Sequence, residues 1–138
     1  MRKPSLPVLV LSAMTAMQAC GDPDLSDTKP DRTRDADGIV KLYRNHEQGD
    51  WMLKGKVILV RNAVVLDVPK SGSAFTLAGQ TTLSPIPITL RFHVSEKQMS
   101  RLTPGDLIAF KGICTGMTES IQFRSGVLMS VSKPLSLP

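Results

Sequence analysis

The stretch Gly105 to Val131, GDLIAFKGICTGMTESIQFRSGVLMSV, decides how this chain is read. Leu107 to Cys114 is an apolar run between Pro104-Gly105-Asp106 and Thr115-Gly116, and its length and turn-forming flanks predict a strand instead of a helix. Across the turn, Ile121 and Phe123 alternate with Gln122 and Arg124, and the run resumes after Ser125-Gly126 as Val127 to Val131. Two adjacent antiparallel strands follow. Gly112 inside the first has a use only where a bulge, a bend or a close backbone approach needs the missing Cβ, as in small barrels.

Working outward, Ile88 to Val94 places Ile88, Leu90, Phe92 and Val94 on one face and Thr89, Arg91 and His93 on the other, so one side is buried. Ser95 to Leu102 reads as a helical turn. Upstream, MLKGKVILVRNAVVLDV after Trp51 is a single long strand bent near Gly55 or Asn62. Lys70 to Ser73 is a turn, Ala74 to Leu77 a short strand, and Ala78 to Pro87 a loop in which Pro85 and Pro87 oppose pairing. Ile39, Leu42 and Tyr43, spaced by three and four with Asp37 as a cap, predict one short helix over Gly38 to Asp50 that ends near Gly49. The sum is a mainly β chain: a five-stranded OB-fold barrel with a short N-terminal helix. No internal repeat interrupts residues 37–138, which form one domain.

Leu42-Tyr43, Asn45 and Gly55-Lys56-Val57, followed by Leu102, Gly105, Gly112 and Cys114-Thr115-Gly116, resemble the tRNA_anti-like family of OB-fold proteins, which includes bacterial lipoproteins and phage or plasmid proteins. The resemblance covers about residues 37 to 132 and implies the barrel more strongly than any activity.

Residues 1–19 begin with basic Arg2 and Lys3, continue through apolar Leu6 to Met17, and end at small Ala19 before Cys20. This reads as a signal peptide, too short in its apolar part to span a bilayer. Met17-Gln18-Ala19-Cys20 resembles the lipobox of bacterial lipoproteins, which implies a diacylated Cys20 and a membrane anchor; the alternative is an ordinary secretory signal with an incidental cysteine. Residues 20–36 are rich in Asp, Pro, Thr and Arg, with Leu25 the one large apolar side chain, and predict a flexible tether. By resemblance to enterobacterial lipoproteins, Gly21 after the cysteine implies the periplasmic side of the outer membrane in preference to the inner.

The chain of 138 residues has a formal charge of +5, to which Arg2 and Lys3 of the signal contribute, too weak an excess for a strong nucleic-acid field. Aromatic residues make up 4%, so the core is aliphatic and stacking surfaces are scarce. No catalytic, cofactor or metal motif is present. Cys114 with His93 is the one nucleophile–base pairing to weigh, but Cys114 shares the parity of Ile108 and Phe110, which predicts a buried thiol. His46 reads as an exposed helix residue. The candidate binding face is Lys54, Lys56, Arg91, His93, Lys111 and Arg124. Phe92, Phe110 and Phe123 have core parity, while Tyr43, Trp51 and Phe75 remain free for stacking or for pinning the helix to the barrel. The expectation is a non-enzymatic, lipid-anchored envelope module that binds a protein or a glycan, with single-stranded nucleic-acid binding as the alternative.

Overall fold

The computed structural model describes residues 23–69, 74–80, 86–93 and 98–133. The predicted signal peptide, Cys20 and the turn at Lys70 to Ser73 lie outside these residues. The elements in order are β1 (Arg32–Asp35), α1 (Ala36–Leu42), α2 (His46–Leu53), β2 (Val57–Asp67), β3 (Phe75–Ala78), β4 (Ile88–Phe92), a 3-10 turn (Gln98–Arg101), β5 (Leu107–Met117) and β6 (Ile121–Ser132). Strand β2 pairs with β3, β3 with β4, β4 with β6 in parallel, β6 with β5, and β5 back with β2. That circle is the closed five-stranded barrel expected from the sequence, and its connectivity is compatible with an OB-fold.

Two shifts of register keep apolar side chains inside the barrel. Ile58 and Val60 point inward from β2, but after the irregularity at Asn62, whose φ is 58°, the inward residues are Ala63 and Val65. One extra residue has reversed the alternation, as a bulge does. Strand β6 repeats the device: Ile121 and Phe123 are buried, Ser125 has φ 58°, and Leu128 is the next large residue inside. Gly112 sits where β5 and β6 press together, since a Cβ there would stand 3.2 Å from the Arg124 carbonyl oxygen. The rings of Phe110 and Phe123 meet edge to face at 5.3 Å, and those of Phe75 and Phe92 at 5.1 Å. Such pairs contribute about 0.5–1.5 kcal/mol each beyond the area they bury.

The N-terminal half departs from the expectation in three ways. The single helix is two, because the Asn45 side chain accepts from the Gln48 amide at 3.1 Å and starts α2 afresh. That helix runs through Trp51 to Leu53, so the long strand begins only at Val57 and bends at Asn62, while Gly55 belongs to the turn before it. The expected tether is part of the fold from Leu25 onward. Leu25 is 3% exposed, the Asp31 amide donates to the Val57 carbonyl at 2.7 Å, and Arg32–Asp35 pairs in parallel with Ile58 to Arg61. A polar segment docks here because β2 offers an open edge and the barrel offers Lys111 as an anchor.

Candidate interaction surface

The six cations expected on one face are divided among three places. Arg91 on β4 and Arg124 on β6 are exposed and adjacent, since Leu90 pairs with Phe123 and Phe92 with Gly126 on either side of them. His93 follows β4, half-buried, with its amide donating to the Gly126 carbonyl at 2.9 Å. These three form one face of the barrel. Lys111 does not extend it: the side chain is 5% exposed, and its ammonium donates to the carbonyl oxygens of Ser26 at 3.1 Å and Thr28 at 2.7 Å. The arm from Leu25 to Thr28 lies over Lys111. The bonds from Ser26 hold the Asp24 carboxyl below its ordinary value.

Lys54 and Lys56 belong to the turn that joins α2 to β2. Lys56 donates from its ammonium to the Met52 carbonyl at 3.0 Å, and the Lys54 side chain runs past Gly116, where a Cβ would stand 3.4 Å from it. The same turn is bonded to β5, with the Gly55 amide donating to the Cys114 carbonyl at 2.7 Å and the Cys114 amide to the Lys56 carbonyl at 3.1 Å. Both lysines therefore border a structural junction.

That junction is built around Tyr43, which is 1% exposed. Its hydroxyl donates to Asp50 Oδ1 at 2.8 Å and lies 3.5 Å from Cys114 Sγ, so with its one proton committed to the carboxylate the thiol is the donor to it. Burial, together with these two bonds, pushes the Tyr43 phenol far above its ordinary value. Burial also pushes the Cys114 thiol up, which leaves it protonated and a poor nucleophile at neutral pH. The hydrogen-bond partner of the thiol is a tyrosine, and the exposed His46 places Nε2 3.1 Å from Asp50 Oδ2. Phe75 is buried, so Trp51 is the one large aromatic among the described residues that stands in solvent, 81% exposed on α2.

One feature escaped the reading of the sequence. Arg34 of β1, Gly38, Lys41 and Leu42 of α1, and Gln48 of α2 line an open hollow of about 450 Å³. Gly38 and Lys41 belong to α1 while Arg34 lies on β1, within the segment expected to be a tether, so no single periodicity in the sequence joins the three. Among the described residues no group of three or more His, Cys, Asp or Glu is arranged to hold a metal ion, and no helix is long and apolar enough to cross a membrane. No protein-family model matches the chain, and no curated protein sequence does.

Proposed function

We propose that this chain is a lipid-anchored OB-fold lipoprotein of the bacterial cell envelope, held by acyl chains on Cys20 and acting, without catalysis, as a module that binds an envelope protein or a glycan. The fold supports a binding role, since closed barrels of this connectivity present ligand surfaces on a rigid frame. The observation that carries the choice of partner is the fate of the rings. Phe75, Phe92, Phe110 and Phe123 are all in the core, so Arg91 and Arg124 stand on a barrel face with no phenylalanine to stack a base upon. Trp51 is exposed on a helix instead, and tryptophan is among the residue types enriched as buried anchors in protein interfaces.

Kinship with the tRNA_anti-like family rests on the same short signature, and placement on the outer membrane rests on Gly21. Labelled palmitate tests the anchor. It should enter the wild-type chain expressed in a bacterial host and be absent from Cys20→Ser, while equal labelling of the two would refute lipid attachment at this residue. Two or more acyl chains are needed for firm attachment, and the lipobox modification supplies them.

A further inference from the structure

We propose that the hollow between β1, α1 and α2 is a binding site for a phosphate ester, gripped by Arg34 and Lys41. The donors suit the ligand. An arginine fork can take two phosphate oxygens at once, the Lys41 ammonium supplies a compact charge, and the Gln48 amide adds neutral donors. None of the lining residues carries a carboxylate. Within the described residues neither Arg34 nor Lys41 has an ion-pair partner, whereas Asp35, the nearest acid on β1, is turned to Arg61 at 3.3 Å. Arg32, on the same face of β1 as Arg34, and Arg44, just past α1, add positive charge nearby, against Asp37 of α1 and Glu47 of α2.

The shape and lining of the hollow favour an ester over a bare ion: it is open to solvent and extends beyond the two cations. Leu42, and Gly38 with open space where its side chain would be, give the carbon part of an ester a surface to lie on. The site is separate from the Arg91 and Arg124 face and does not depend on lipid at Cys20.

The full chain, ¹⁵N-labelled and held in a non-ionic detergent, can be titrated with sn-glycerol 3-phosphate, inorganic phosphate and glycerol. Glycerol 3-phosphate should give saturating shifts at the amides of Arg34, Gly38, Lys41 and Gln48, tighter than inorganic phosphate, with none from glycerol. Arg34→Gln combined with Lys41→Gln should weaken binding roughly tenfold or more, and Arg91→Gln combined with Arg124→Gln should leave it intact. Competition by phosphatidylglycerol mixed into the detergent micelles would identify a lipid headgroup as the source of the phosphate, and its absence a soluble ester. Failure of both phosphate compounds to saturate below about 10 mM would overturn the proposal, as would shifts that survive the Arg34 and Lys41 double variant.

Discussion

Gly49 has no side chain because Tyr43 occupies the space: a Cβ there would stand 2.5 Å from the ring Cδ1. Helix propensity alone favours alanine at this position in α2 by about 1 kcal/mol. Overpacking opposes it by about 1–3 kcal/mol, and the ring has little freedom to move while its hydroxyl is bonded to Asp50 and Cys114. Gly49→Ala should therefore lower the urea midpoint without changing the slope, and a raised midpoint would mean that the ring swings away freely. The surroundings of Tyr43 also explain what the family resemblance measures. Tyr43, Asn45, Gly55, Lys56 and Cys114 converge on the join between the helices and the barrel, where they cap a helix, exchange backbone bonds or fill the core. Residues recognised for such work report a packing solution and carry no statement about a ligand.

Between elements, the end of β6 is fastened to the start of β5 by one carboxylate. Asp106 is fully buried and accepts from the Lys133 ammonium at 2.7 Å and from the Thr103 amide at 2.9 Å. Burial pushes this carboxyl up, but the bonds from Lys133 and Thr103 outweigh it and hold the group below its ordinary value of 3.8. A depressed folded-state value means that the stabilisation is complete above about pH 4–5 and is lost as pH falls through the folded value. Urea midpoints should thus be nearly level from pH 7 to 5 and drop below 4. Asp106→Asn should cost about 1–3 kcal/mol at neutral pH and flatten that acid limb, and an unchanged limb would show that other carboxylates control it. The legibility of the elements follows a similar logic of strong and weak signals. Strands β4 and β6 were readable because one buried side imposes alternation, β5 because a short apolar run lies between turn-forming flanks, and the bend of β2 because Asn62 interrupts it. The helix break was readable in principle: Asn45 with Gln48 three residues later is a capping pattern, masked by Ile39, Leu42 and Tyr43 keeping helical spacing up to it. The arm was not readable, since a lone Leu25 among polar residues gives no periodicity and docks only on a surface that the rest of the chain creates.

At the scale of the whole molecule, a net charge of +5 does not say which cations face solvent, and burial decides that. Of the six residues expected on one face, Arg91, Lys111 and Arg124 are the Lys and Arg residues on barrel strands, but the arm has taken Lys111 into backbone carbonyl bonds and left two of these three at the surface. Two phosphate contacts on a single strand imply a slope of about −1.4 for log affinity against log salt, a shallow dependence that goes with weak binding at physiological ionic strength. Stacking would have to supply the rest at roughly 1–3 kcal/mol per base, and the four phenylalanines that could provide it are inside the barrel. Displacing the arm to recover Lys111 would cost the burial of Leu25 and both carbonyl bonds, so a nucleic-acid ligand would have to overcome the fold as well as the solvent. An unstructured oligonucleotide should therefore show no micromolar affinity for the full chain near 0.15 M salt in a fluorescence titration. Tight binding with a slope well steeper than −1.4, abolished by Arg91→Ala with Arg124→Ala in a still-folded protein, would mean that the arm lifts and that single-stranded nucleic acid is the better account of this surface.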